Sequence, residues 1–362
     1  MEKIVFAHLY NDYSGSPLVL STVIKGFLNR KTRVELITST SEGFLSELDL
    51  PKKNNAYRFH QHKFLRLITF LFCQIRMFFQ ALQYREEQVV FYVNTLLPFG
   101  VALAAKLMNK KVVYHLHETS VRPIILKRFL KWVASVTATE LVYVSDFLRK
   151  EESIKGVTGS VVPNALSKAF LEQASSFQNE QPTQKDFVVL MICSLKAYKG
   201  VNEFVALAKQ LPQLQFEMVL NATQPEIDHF FAATKLSTNL SLFPKQANVH
   251  PFYQRASLVL NLSHPQLWVE TFGMTLLEGM AYGIPAISPP VGGPVELIHS
   301  GKNGYQIDQR ALPQIIERIT QLSTNEQLYQ SFSQQARIKA ATFNVERMQE
   351  SLFNLIYLSR VA

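Results

Sequence analysis

Along the chain, short runs of Val, Ile, Phe, Leu and Tyr alternate with longer stretches whose apolar residues recur every three or four positions. In the first half the short runs are KIVFAHL, RVELITS, QVVFYVN, KVVYHLH and ELVYVSD, and PFGVALAAKLMN and PIILKRFLKWVASV between them have helical spacing. Near-continuous apolar strands separated by helices predict a parallel sheet covered on both faces. The second half repeats the alternation with DFVVLMICS, LQFEMVLN, SLVLNLS and PAISPP. A length of 362 residues also favours two cores over one. The pattern therefore predicts an α/β protein of two doubly wound, Rossmann-like domains in tandem, with a cleft between them. The polar stretch SKAFLEQASSFQNEQPTQK, at about 167–185, reads as a linker at the start of the second domain. The first domain is expected over 1–166 and the second over 167–343. A closing helix, NVERMQESLFNLIYLSRVA at about 344–362, is expected to pack back on the first.

One segment departs from this rhythm, HKFLRLITFLFCQIRMFFQALQYR at 62–85. Its longest apolar run, Leu67 to Cys73, falls short of the roughly 20 residues that span a bilayer. His62, Arg66, Thr69, Cys73, Arg76 and Gln80 step by three or four and form one narrow polar stripe, with Lys63 beside it. The pattern admits a core-facing helix of the first domain or a Phe/Leu face at a lipid interface, and one helix can do both on different sides.

Charge sharpens that picture. Residues 1–165 hold 22 Lys and Arg against 13 Asp and Glu, which accounts for the whole net charge of +9, while residues 166–362 hold 15 of each. An anionic partner is expected for the first half: a membrane surface, a lipid-linked phosphate or nucleic acid. No nucleic-acid module motif supports the last, and none is expected. Cys73 and Cys193 follow no metal spacing and suit a reducing compartment. The start MEKIVFAHLY lacks a small-residue cleavage site, so no signal peptide is expected. A cytoplasmic location follows, with peripheral association at the inner face of the membrane.

The chemistry concentrates in ETFGMTLLEGMAYGIP, residues 270–285. A helix is predicted from near Thr271 to near Gly283, stopped by Pro285. Glu278 then shares its face with Met274, Leu277 and Ala281, and a carboxylate there needs donors from the protein or from a ligand. Eight helical residues rise about 12 Å, so Glu270 and Glu278 read as separate contacts on one extended ligand. Gly273 clears an approach to backbone N–H groups at the helix start, which favours phosphate. A ligand of sugar, diphosphate and ribose fits; alternatively, Glu278 is a core glutamate satisfied by the protein and Glu270 a helix-start charge. In CSLKAYKGVNEF, Lys196 and Lys199 lie on a loop after a strand, where anions bind. In KVVYHLHETS, alternation sends His115 and His117 to the same side. No further Cys or His cluster completes a zinc site, so no metal or other cofactor is expected. HLYNDYSGSP places Gly15 between the first strand and a helix.

The E-x7-E spacing, with Phe-Gly two and three residues after the first glutamate, resembles the signature of family 4 glycosyltransferases, retaining enzymes of the two-domain GT-B fold. FYQRASLVLNLS before it and PAISPPVGGPVELIHSGKNGYQI after it agree in order, and 248–307 is the most specific part of a likeness that spans most of the chain. The resemblance implies that Glu278 holds the ribose hydroxyls and that Glu270 faces the donor sugar. Backbone N–H groups around Phe272, Gly273, Met274 and Thr275, next to Thr271, would meet sugar and diphosphate. Lys199 and Gly200 match the family's Lys-Gly pair, but the arginine usual five residues earlier is Ser194, which leaves Lys196 as candidate for the second charge. The family's strand-end histidine falls on His117, with His115 as second choice, and its early Gly-Gly is matched by Gly15 alone. Catalytic roles are thus implied for His117, Glu270 and Lys199. The implied reaction moves a hexosyl group from a UDP- or GDP-sugar to an acceptor hydroxyl with retention, by a front-face route. A lipid-linked glycan of bacterial surface polysaccharide (lipopolysaccharide O-antigen or capsule) is the expected acceptor. Two rivals are a sugar-nucleotide epimerase and a non-catalytic nucleotide-sugar-binding protein. The latter would be expected to have lost Glu270, Glu278 and Lys199, all of which are present.

Overall fold

A computed structural model describes residues 2–176 and 187–357. The chain divides into two compact units: the described residues within Met1–Ala165 and Val345–Ala362, and those within Leu166–Asn344.

The first unit runs β1 (Lys3–Ala7), α1 (Gly15–Asn29), β2 (Val34–Thr38), β3 (Lys52–Asn54), α2 (Lys63–Leu82), β4 (Val89–Asn94), α3 (Phe99–Leu107), β5 (Lys111–Leu116), α4 (Ile124–Thr137), β6 (Glu140–Tyr143), α5 (Asp146–Glu152) and β7 (Gly159–Val161). Its seven strands are all parallel, in the order β3-β2-β1-β4-β5-β6-β7. Every residue of β4 is buried, which is why its sequence VVFYVN is apolar almost throughout. The chain moves from β1 outward to β3, then returns past β1 to β4. Right-handed crossovers therefore place α1 on one face and α2, α3 and α4 on the other.

The second unit continues with α6 (Lys168–Ser175), β8 (Val188–Cys193), α7 (Val201–Gln210), β9 (Gln215–Leu220), α8 (Gln224–Phe231), β10 (Leu240–Phe243), α9 (His250–Arg255), β11 (Leu258–Leu260), α10 (Met274–Ala281), β12 (Ala286–Ser288), α11 (Pro294–Leu297), β13 (Gly304–Gln306), α12 (Leu312–Thr324) and α13 (Glu326–Ala341). Its six parallel strands run β10-β9-β8-β11-β12-β13. Both orders are those of a dinucleotide-binding sheet, with reversal points between β1 and β4 and between β8 and β11. The last helix, α14 (Val345–Tyr357), belongs to the first unit. Its stripe Val345, Met348, Leu352 and Ile356 joins the core built by Val19, Leu20, Val23 and Phe27 of α1. Lys111 Nζ donates to the carbonyls of Leu355 and Ile356 at 2.8 Å, a cation placed where the helix dipole favours one.

Two expectations change. The stretch read as a linker begins as a helix, α6, whose N-terminus is capped by Ser167 accepting from Phe170 N–H at 3.2 Å. Its remainder, 177–185, lies outside the described residues. The helix expected from near Thr271 starts at Met274, because Gly273 at φ +103° stands in the left-handed region and caps it from outside.

Candidate functional site

The second unit brings two loops together at its reversal point. β8 and β11 are neighbours, so the loops leaving their carboxyl ends, 194–200 and 261–273, meet there. Gly200 fixes the approach: its φ is +81°, and an added Cβ would lie 2.3 Å from Leu262 Cβ and O. The preceding short 3-10 turn, Ala197–Lys199, aims Lys199 inward. Its Nζ pairs with Glu270 Oε2 at 3.0 Å and lies 5.3 Å from the ring centre of Trp268, which stacks on Tyr198. Both side chains are shielded but solvent-reachable, 15% and 25% exposed, so the pair can still exchange partners. The loop carrying Glu270 is held from the other side, where Gly293 N–H donates to the Glu270 carbonyl at 2.8 Å.

Glu278 sits one turn into α10. Tyr253 Oη donates to its Oε2 at 2.6 Å and contacts the Thr275 carbonyl at 3.3 Å. Tyr253 is positioned by stacking on Tyr282 and by the edge of Phe170 from α6. Burial pushes the Glu278 carboxyl up to about 7, and the Tyr253 hydroxyl pulls the other way. The protein thus satisfies one carboxylate oxygen. Thr271 and Phe272 precede the helix; the Phe272 ring is buried against Phe343, so only its backbone can serve a ligand. Met274 and Thr275 form the first turn of α10. Lys196 is not drawn into this cluster: it is exposed, and its charge is felt at Glu226.

The first unit has its own cluster at the carboxyl ends of β1, β4 and β5. His117 Nε2 lies 2.8 Å from Asn94 Oδ1, and Asn94 Nδ2 lies 3.0 Å from His8 Nδ1 and 3.3 Å from the Ser16 carbonyl. The Asn94 amide donates to Ser16, so its oxygen must accept and His117 Nε2 must carry the proton. Burial, His115 and His8 all hold the His117 pKa well below the usual range, so the ring is neutral with Nδ1 as its acceptor. His115 is fully buried, its Nδ1 2.7 Å from Tyr92 Oη, and burial lowers it to about 3. The two rings are 4.2 Å apart, on one side of the strand as alternation requires. Gly15 opens α1, and an added Cβ there meets nothing within 4 Å among the described residues. Among the described residues, no group of three or more His, Cys, Asp or Glu is arranged to hold a metal.

Sequence reasoning passed over Asn94, Tyr253 and Trp268, and gave no role to Glu118 beside His117. Burial and the nearby Glu152 raise the Glu118 carboxyl to about 7, and its Oε1 is buried with no partner among the described residues. Glu152 itself takes the ammonium groups of Lys127 and Lys131. With the folded-state value above the unfolded one near 4.5, the neutral acid favours folding. That contribution is full below the unfolded value and is lost as pH rises through about 7. Glu118→Gln is therefore expected to raise the melting temperature at pH 8 by a few degrees and to change it little at pH 5, measured by calorimetry at both.

Residues 172–339 match the family model Glycosyl transferases group 1. Over 275 residues the chain is 24% identical to N-acetyl-alpha-D-glucosaminyl L-malate synthase of Bacillus anthracis, a match covering 70% of each chain. Among solved structures, HepE of Anabaena in complex with UDP and glucose matches with a TM-score of 0.79 at 19% identity, over all of both chains. The lipopolysaccharide outer core galactosyltransferase WaaB matches at 0.70 and 17%, over 99% of both. These structural likenesses speak for the fold, which is GT-B, two Rossmann-like domains with parallel sheets. The second unit thus carries a Glycosyl transferases group 1 domain, over residues 172–339.

Proposed function

We propose that this glycosyltransferase uses a nucleotide-diphosphate sugar, UDP- ahead of GDP-linked, and transfers its hexosyl group with retention. The observation that carries the reading is the pairing at one reversal point of Lys199 with Glu270 and of Tyr253 with Glu278. These supply, in order along one ligand, a carboxylate for sugar hydroxyls, a cation for diphosphate and a carboxylate for ribose. The N–H groups of Met274 and Thr275, at the start of α10, add to the diphosphate contacts. UDP is placed first because HepE is described with UDP and glucose, and with UDP-glucose. In the front-face route, the bond from the anomeric carbon to the diphosphate breaks and the bond to the acceptor oxygen forms on the same face. The acceptor proton passes to the departing diphosphate oxygen. Lys199 and the helix start stabilise that charge, and no metal is required. His117, a neutral ring with a fixed tautomer, is assigned to the donor sugar and Gly15 to backbone contact, both from the family resemblance. With Lys196 exposed, its assignment is to the diphosphate rim.

The acceptor we assign is a lipid-linked glycan of bacterial surface polysaccharide, reached from the cytoplasm. The basic first unit supports it, as does the likeness in fold to a lipopolysaccharide galactosyltransferase. A thermal-shift series with UDP, GDP, ADP and their common sugar conjugates tests the donor. Stabilisation by one base, with sugar release only when an acceptor is added, is the expected result. Turnover of the sugar nucleotide to an isomer without acceptor would mark an epimerase. The absence of a shift with any nucleotide would overturn the donor assignment.

A further inference from the structure

A wide apolar surface of the first unit is exposed to solvent, and α2 shows how it arises. Phe70, Cys73, Met77 and Ala81 pack inward, and Gln74 Oε1 accepts the Gly100 N–H at 3.0 Å where α2 meets α3. Thr69, Arg76 and Gln80 donate to the carbonyls of Arg58 and Asn54, which ties a second side to the segment around β3. The third side carries Phe64, Ile68, Leu71, Phe72, Ile75 and Phe79, between 47% and 63% exposed and spaced to form one stripe. By length and composition α2 could cross a membrane. Its inward and lateral bonds instead fix it to the unit with one apolar side outward.

The sequence pattern did not reach the second helix of this surface. α4 turns Ile124, Ile125, Phe129, Trp132 and Val136 outward, again along one side. Ring contacts join the helices into one layer: Phe70 to Phe99 at 5.9 Å, and Phe99 to Phe129 at 5.2 Å. Leu107 of α3 is 72% exposed in the same layer. None of the three helices contains an acidic residue, while Lys63, Lys106, Arg122 and Arg128 are exposed on or beside them. A second copy of the chain would set these cations against themselves. An anionic bilayer offers both a negative surface and an apolar interior.

We propose that the α2–α3–α4 layer docks on the surface of an anionic lipid bilayer, with the α2 stripe and Trp132 seated at the interface. This deepens the acceptor part of the proposed function, on which its biological meaning rests, because a lipid-borne acceptor is met at that surface. Docking and donor binding are read in separate assays, so either can fail without the other.

The test is flotation of the full chain with phosphatidylcholine vesicles, with and without phosphatidylglycerol. Binding is expected to the anionic vesicles, weakening with salt. Ile75→Glu with Phe79→Glu, and separately Ile125→Glu with Trp132→Glu, should each lower the bound-to-free ratio by at least about tenfold. Melting temperatures should stay near the parent's, since the replaced side chains are exposed. If a charged pair unfolds, the matching serine pair takes its place. Trp132 emission, identified by its loss in Trp132→Phe, should shift to the blue and be quenched by brominated lipid. No binding of the parent to anionic vesicles, or binding unchanged by either pair, would overturn the proposal. So would self-association without vesicles that the same substitutions abolish.

Discussion

Lys199→Ala is expected to lower the transfer rate by about two to three orders of magnitude, the usual loss when a charge-stabilising donor is removed from a reacting centre. Among the described residues, Lys199 supplies the ammonium that pairs with Glu270, while Lys196 is exposed to solvent. Two roles would give the same single-variant result. Lys199 either meets the diphosphate or merely neutralises Glu270. The double variant Lys199→Ala with Glu270→Gln separates them, because it removes the uncompensated carboxylate along with the cation. Recovery to near the Glu270→Gln rate would reduce Lys199 to a counter-ion. A double variant as slow as Lys199→Ala, with nucleotide still bound, would place the lost charge on the departing diphosphate.

The fold was legible wherever strands are buried on both faces. β1, β2, β4, β5 and β6 of the first unit, and β8, β9, β11 and β12 of the second, announce themselves as apolar runs. The strands that escaped notice, β3, β7, β10 and β13, are the four sheet edges. An edge has one neighbour and little to bury; β3 reads KKN, and a charge such as its exposed Lys52 keeps an edge from pairing elsewhere. The helix that opens the linker stretch was hidden for a similar reason. α6 buries chiefly Ala174, and a polar helix with one buried residue looks like a tether.

The site was legible through its charges and glycines, less so through its aromatic supports. Glu270, Lys199 and Gly200 could be found because a carboxylate, a cation and a left-handed glycine at strand ends have few other uses. Tyr253 could not, since the helical run HPFYQR gives no sign of which ring faces Glu278. That depends on Phe170 and Tyr282, distant in sequence. Asn94 ends an apolar strand, and its part in fixing the His117 tautomer needs His8 and Ser16 from the far side of the sheet's reversal point.

Glu278→Gln is expected to weaken nucleotide binding by about 1–3 kcal/mol, the worth of hydrogen bonds to a charged acceptor. Tyr253 already holds Oε2, which leaves the second oxygen as the acceptor for a ribose hydroxyl. Gln keeps the size but loses the charge and presents an N–H where a hydroxyl must donate. The pH dependence gives a second, independent reading. Burial disfavours the charge and pushes the carboxyl up to about 7. Hydroxyl donors stabilise the charged form, so binding expels a proton and affinity should fall as pH drops from about 8 to about 6. In Glu278→Gln that slope should vanish. Calorimetric titration with the stabilising nucleotide, in both proteins across that range, checks each expectation. If the variant binds as tightly as the parent and neither shows a slope, Tyr253 suffices and Glu278 is a core glutamate. A lost slope together with weakened binding would mean that the apolar face of α10 tolerates its carboxylate because ribose completes what Tyr253 begins.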